Sequence, residues 1–405
     1  MIDIKFLKEN VEYAKKIFEK RGCNVNIEKF LELHFEVNKL KNELDNLKSE
    51  QKRASSREKA MELKSKINDL KPEFTKIKEE RDKIWLILPN DLAKDTPDGK
   101  DDSENLEIKR VGEFKKFDFA PLPHEVLGQK LGILDLERGS KVAGSGFCYF
   151  VGAGADLAIA VYLLARDVLK RKKFKFLIPP VLANHRTFMG TGYFPFEPEG
   201  NYKIENENLY AIGTSEQTLL AFHDNEILNS QDLPLLYSAV TPCFRTEVGS
   251  YGKSSRGAFR VHQFNKMEQI VFCRPEESEY FHELCLKNIE ELMELLEIPY
   301  RIVRVCVGDM GAPGYKKYDV EGWFPSFNDF RETHSNTNLT DFQTRRLNIR
   351  TEINKTKIFP HTISSTEITD RAVLAIMENC QQSDGSIKIP TALRKYMYDL
   401  EVIKN

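Results

Sequence analysis

The sequence predicts an α+β fold in two parts: an N-terminal antiparallel helical coiled-coil arm, and a larger domain organised around a strand–loop–strand unit. Three observations carry this. Two heptad stripes lie within residues 31–88, a turn-rich acidic segment follows at 89–103, and residues 242–268 read as two β-strands joined by a polar loop. A chain of 405 residues is long enough for two domains and a large core. We place the arm with its linker at 1–100 and the second domain at 101–405.

Residues 1 to about 30 read as a short helical lead-in broken by Gly22. The first stripe is Leu33, Val37, Leu40, Leu44 and Leu47; the second is Leu63, Ile67, Leu70, Phe74, Ile77, Arg81, Ile84 and Leu88, with Arg81 a polar residue in the seam. Steps alternating four and three put each stripe on one helix face, and the polar break at 54–57 lets the second helix fold back on the first. At about 1.5 Å per residue such an arm reaches on the order of 35 Å. Pro72 is expected to kink or restart the second helix. Taken alone, a heptad pair most often serves oligomerisation. The tip suggests another use, since seven basic residues (Lys48, Lys52, Arg53, Arg57, Lys59, Lys64, Lys66) face three acidic ones (Glu50, Glu58, Glu62). A basic tip suits a phosphate backbone.

Lys and Arg total 60 against 62 Asp and Glu, so bulk charge announces no nucleic-acid partner and a local patch would have to bind one. The seven cysteines are scattered without zinc spacing, which reads as reduced thiols. No apolar signal core opens the chain and no run of about 18 apolar residues suggests a membrane span. The expectation is a cytoplasmic protein. No P-loop pattern occurs, and the GxG at Gly152 and Gly154 lacks its third glycine, so a nucleotide would be held by another device.

The segment FRTEVGSYGKSSRGAFRVHQFNKME (244–268) supplies one. Its first strand is expected to end with Phe244, Arg245, Thr246 and Glu247, and its second to begin near Ala258 and carry Arg260, Val261, His262, Gln263 and Phe264. A guanidinium at a strand end can clamp a phosphate bidentately. Glu247, two residues on along the same strand face, can accept from an amine such as that of adenine. Phe264 offers a ring for stacking. The loop from Val248 to Gly257 is basic, glycine-bearing and rich in donors.

This segment closely resembles motif 2 of the class II aminoacyl-tRNA synthetases, in the form found in seryl-tRNA synthetases. The resemblance implies an ATP site on a mostly antiparallel sheet flanked by helices, where serine is activated to seryl-adenylate and passed to tRNA. It runs from residue 1 to about Met397. The helical stretch Ala155–Lys170 and the strand Lys175–Ile178, ending at Pro179 and Pro180, resemble motif 1, which implies a homodimer. The arm resembles the one that embraces the long variable arm of tRNA(Ser); tRNA(Sec) is a further candidate substrate.

Thr214, Ser215 and Glu216 follow a short strand at 209–212 and read as a helix N-cap with an acidic first turn. In the family a Thr-x-Glu here lies by the amino-acid substrate. Serine has an ammonium, a carboxylate and a hydroxyl, so its pocket needs buried carboxylates and a donor–acceptor set. The resemblance assigns it Thr214, Ser215, Glu216, Arg245, Glu268 and Thr366. DFRETHSNTNLTDFQTRRL (329–347) resembles the family segment whose Glu and Ser hold magnesium, here Glu332 and Ser335; two oxygen ligands with waters and phosphates suit that ion. Thr333 and His334 stand where the family carries Ile and Ser. The implied ATP contacts are Arg245, Thr246, Glu247, Val261, Phe264, Glu332, Thr333, His334, Ser335 and Arg371, with Arg245, Glu332 and Arg371 catalytic.

Motif 3, HTISSTEITDR (361–371), departs from the family: Ser364, Ser365 and Thr366 stand in place of Asn, Gly and Ser, Glu367 follows, and one residue is missing. These residues replace a glycine-bearing turn, so the backbone here is expected to run differently and with less freedom. Two other readings follow from these residues. A non-catalytic paralogue would fit the altered motif 3; a relative that loads a carrier protein would lack the arm at 31–88.

Overall fold

The computed structural model describes residues 2–247 and 257–405. The chain divides into two compact units, Met1–Asp91 and Leu92–Asn405.

The first unit is helical. Two short helices, α1 (Ile4–Glu9) and α2 (Val11–Lys20), precede a turn at Gly22, where φ is 65°, and the long pair α3 (Ile27–Lys52) and α4 (Arg57–Ile87) follows. The pair is antiparallel. Gln51 donates to the Ala60 carbonyl (3.3 Å) near the tip, and Arg81 reaches His34 (3.3 Å) near the base. The expected seam is the one that packs: Leu33, Val37, Leu40, Leu44, Leu63 and Leu88 are buried, and Ile67, Leu70, Phe74, Ile77 and Ile84 half-buried. Arg81 is held in that seam by Asp82 (2.6 Å) and by the Trp85 ring, 5.0 Å away. Ser56 caps α4 by accepting from the Lys59 amide (3.2 Å). Pro72 does not restart the helix, since α4 runs through it unbroken. The missing N–H removes one helical bond, and the apolar seam on both sides of the proline keeps the turns packed.

The second unit is built on an eight-stranded sheet of β1 (Leu106–Val111), β2 (Lys175–Phe176), β3 (Leu235–Phe244), β4 (Gln263–Cys273), β5 (Tyr300–Arg304), β6 (Lys316–Phe324), β7 (Asp329–Thr340) and β8 (His361–Thr369), in the order β1-β5-β6-β7-β8-β4-β3-β2. Every neighbouring pair is antiparallel except β2 with β3. Helices α5 (His124–Lys130), α6 (Leu136–Ala143), α7 (Ala153–Arg171), α8 (His185–Thr191), α9 (Ser215–Ala221), α10 (Ser278–Leu295), α11 (Phe342–Leu347) and α12 (Asp370–Asn379) surround it. One sheet face packs Met267, Val271, Val320, Ile363 and Ile368 against Cys285, Ile289 and Leu292 of α10 and Leu157 and Val161 of α7. Side chains alternate along a strand, so the residues between these point to the other face, where the site lies.

All seven cysteines are free, and among the described residues no helix is long and apolar enough to cross a membrane.

Three expectations about strands need correction. β3 ends at Phe244 and β4 begins at Gln263, so Arg245, Thr246 and Glu247 lie just beyond one strand and residues 258–262 just before the other. Glu247 has φ 50°, a left-handed conformation that ends the extended run. Pairing persists for one step, with the Arg245 amide donating to the His262 carbonyl (3.0 Å). Residues 248–256 of the loop lie outside the described residues. The strand at motif 1 is shorter than expected, Lys175–Phe176. Motif 3 is no turn: Ser364, Ser365 and Thr366 sit in the middle of β8, with Thr366 opposite Glu268. None of the three has positive φ, so this backbone makes no demand for glycine.

Candidate active site

A cavity of about 600 Å³ opens over the face of the sheet formed by β4, β7 and β8. Two of its walls depend on β-bulges, each inserting one unpaired residue that shifts which side chains share a face. On β7 the register passes from Val320–His334 to Glu321–Glu332, leaving Thr333 extra. Residues three apart would normally point to opposite faces; the bulge sets Glu332 on the face of Ser335 and Thr337, and all three line the cavity. On β8 the register passes from Thr366–Glu268 to Ile368–Met267, leaving Glu367 extra. Ser364, Thr366 and Thr369 line the cavity, while Ile363 and Ile368 enter the core. Glu367 is fully buried, and burial pushes its carboxyl well above the usual range.

One cluster gathers carboxylates and hydroxyls. Thr214 caps α9, accepting from the Glu216 amide (3.2 Å) while its own hydroxyl donates to Glu268 (2.6 Å). Thr214 is thus a cap that also reaches Glu268, a residue of the cavity wall, without lining the cavity itself. Lys266, two residues from Glu268 on β4, forms an ion pair with it. Glu216 accepts from Tyr193 (3.1 Å) and from Gln343 (2.7 Å). Burial, then the nearby Glu268 charge, raises the Glu216 carboxyl above its ordinary range. Ser215 is buried with its hydroxyl turned to the Ala239 carbonyl (3.4 Å), and it does not line the cavity.

A second cluster is cationic and aromatic. Arg371, at the start of α12, lies 4.5 Å from the Phe259 ring centre, donates to the Glu332 carbonyl (2.7 Å), and has a guanidinium nitrogen 3.7 Å from the Glu332 carboxylate. Arg371 thus rests on Phe259, while Phe264 lies under Arg245, 5.4 Å from that guanidinium. Burial alone would raise the Glu332 carboxyl, but Arg371, Lys317, Arg245 and Lys266 outweigh it and hold the group below its usual range. Arg245 joins the two clusters: it is half-buried, donates weakly to the Gly213 carbonyl (3.4 Å), and feels both Tyr193 and Glu332.

The remaining expected residues divide. Val261 and Glu247 line the cavity, but the Glu247 carboxylate is paired with Arg260 (2.5 Å), not presented along a strand beside Arg245. Thr246 is turned away, its hydroxyl donating to the Glu199 carbonyl (2.7 Å). Thr333 and His334 border the cavity, yet the Thr333 hydroxyl donates to the Val320 carbonyl (3.0 Å) and the His334 ring is buried against Thr333 (2.8 Å). Sequence reasoning did not assign Lys266, Tyr193, Gln343, Lys317 or Phe259 to the site. Strand alternation with Glu268 pointed to Lys266; the rest come together only through tertiary contacts.

Residues 199–380 match the core domain of class II tRNA synthetases for G, H, P, S and T, and residues 1–92 the seryl-tRNA synthetase N-terminal domain. A serine–tRNA ligase of Treponema denticola is 39% identical over 418 residues, covering 98% of both chains. That of Dictyoglomus thermophilum is 45% identical over 318 residues, covering 78% of this chain and 75% of its own. Seryl-tRNA synthetase of Pyrococcus horikoshii, solved with ATP, superposes with a TM-score of 0.91 at 37% identity, covering 100% of this chain and 99% of that one. The chain belongs to the seryl-tRNA synthetase family of class II aminoacyl-tRNA synthetases.

Proposed function

We propose that the protein activates L-serine with ATP and transfers the seryl group to tRNA(Ser). The observation that carries this reading is Arg245, which stands between a carboxylate–hydroxyl cluster suited to serine and a guanidinium–carboxylate cluster suited to a polyphosphate. Glu216 and Glu268 receive the serine ammonium, and Thr366 faces its hydroxyl. Phe264 and Arg371 offer adenine an aromatic face and a guanidinium plane. The serine carboxylate is already ionised, so its attack on the α-phosphorus needs no general base. Arg245 holds the carboxylate and α-phosphate together and stabilises the charge that develops as pyrophosphate leaves.

Glu332 and Ser335 fit magnesium, since the bulge turns two oxygen donors to one face and Glu332 stays ionised. When bound, the ion would neutralise charge on the ATP phosphates. Replacement of glycine in motif 3 removes no wall of the cavity, because Ser364 and Thr366 still line it.

At the arm tip Lys52, Arg53, Arg57, Lys59 and Lys64 are exposed, as a phosphate-binding surface requires. We further propose a cytoplasmic homodimer. ATP–pyrophosphate exchange across the amino acids, followed by charging of total tRNA, tests the reading. Exchange specific to serine, with charging of serine tRNAs, is the expected result; exchange with another amino acid or with none would overturn it.

A further inference from the structure

A buried histidine outside the cavity meets the backbone behind one of its walls. His124 and Glu378 are both fully buried. Glu378 Oε1 accepts from the His124 amide (3.1 Å) and lies 2.7 Å from His124 Nδ1, while its Oε2 accepts from the Ser326 amide (3.0 Å). The far ring nitrogen, Nε2, is 3.2 Å from the Ala258 amide. An amide can only donate, so Nε2 accepts from Ala258, with a Glu125 carboxylate oxygen 3.6 Å away, and Nδ1 is the nitrogen that donates to Glu378.

The grip falls where the polypeptide emerges from residues 248–256. Gly257 has φ 64°, and a Cβ there would stand 2.5 Å from His124 Nε2, so the backbone can pass the ring only as glycine. Ala258 and Phe259, the next two residues, line the cavity. Arg371 lies over the Phe259 ring and donates from Nε to the Phe259 carbonyl (3.3 Å). Glu378 belongs to α12, which begins at Asp370 beside Arg371. One helix therefore fixes Arg371 directly and, through Glu378 and His124, the ring on which Arg371 rests.

We propose that His124, held by Glu378 as the Nδ1–H tautomer, is a positioning residue for the ATP side of the site, acting through Ala258 and Phe259 on Arg371. This rests on the assignment of that cluster to ATP. The test separates the two halves of the histidine. In His124→Asn the side-chain amide can still donate to Glu378 but nothing reaches Ala258; in His124→Gln an acceptor reaches Ala258 again. Serine-dependent ATP–pyrophosphate exchange and thermal melting are measured for both.

The expected result is a KM for ATP raised ~10-fold in H124N, a KM for serine within about two-fold, and recovery of most of the ATP effect in H124Q, the size expected when a misplaced group loosens one substrate's alignment. An unchanged KM for ATP in H124N, equal changes for both substrates, or loss of the folded state would overturn the proposal, the last by making the residue structural. Absence of exchange in the unmodified protein would instead overturn the assignment of ATP to the site.

Discussion

Glu332 and Ser335 share one face of the sheet because Thr333, between them, is bulged against β6. Its hydroxyl donates back to the Val320 carbonyl (3.0 Å), which pins the bulge in place. A carboxylate and a hydroxyl are thereby presented to the same volume without a loop. Glu332→Gln should raise the magnesium concentration giving half-maximal pyrophosphate exchange by ~10-fold or more, and Ser335→Ala by less, as loss of a charged ligand outweighs loss of a neutral one. A magnesium titration at fixed ATP decides this. Unshifted titrations in both variants would remove the pair from metal binding.

Among the described residues the Arg245 guanidinium makes a weak bond to the Gly213 carbonyl and lies over the face of Phe264, with no carboxylate in ion-pair contact, an arrangement that suits an anionic ligand. Arg245→Ala should lower serine-dependent exchange by ~100-fold or more, the cost of one preorganised charge donor. A rate within a few-fold of the unmodified protein would sink the assignment.

The arm was legible because a coiled coil is a local pattern: each seam residue is fixed by its spacing along one helix, and Leu33 to Leu88 packed as spaced. The site was legible as a set of residues and much less as a geometry. Thr214, Glu216, Glu268, Glu332 and Arg371 were expected together and do meet. Which face a strand residue takes depends on its neighbour's register, and the bulges at Thr333 and Glu367 are properties of strand pairs that no single segment displays. Tyr193 was beyond reach for a similar reason. It is placed from afar by Arg346, which donates to the Met189 (3.0 Å) and Phe194 (3.1 Å) carbonyls on either side.

Apolar side chains lie exposed on α6, α7 and the segments beside them: Val142, Val151, Ile159 and Ile178, the last 90% exposed. A second copy of the chain would cover them, as the resemblance of 155–180 to motif 1 implies. Light scattering at micromolar concentration should give twice the chain mass, and Ile159→Asp should shift it toward one. A monomer for the unmodified protein would count decisively against the dimer.

The arm should govern tRNA affinity and leave adenylate formation alone, because the cavity lies wholly within the second unit. Replacing residues 38–68 by a short turn should leave exchange intact while charging falls steeply. Binding of tRNA to the full chain should weaken as salt rises, since basic side chains at the tip displace counterions from phosphates. Unchanged aminoacylation after the deletion would give the arm another partner.

Thr366 carries the last prediction, on how serine is told from alanine. It stands opposite Glu268 across β8 and β4, and Glu268 already receives the Thr214 hydroxyl (2.6 Å). Thr366 is therefore the cross-strand neighbour of the carboxylate proposed for the ammonium and lines the same cavity, where the serine hydroxyl would lie within reach. A buried hydroxyl left unpaired costs about 1–3 kcal/mol. Thr366→Val keeps the shape and removes the partner. It should raise the KM for serine by ~10-fold while the KM for ATP stays near its starting value, and it should narrow the preference for serine over alanine. Ser364 lines the same cavity two residues along the strand. If both constants stay put in the Thr366 variant, Ser364→Ala is the next comparison, and a serine-selective loss there would move the hydroxyl contact to that residue.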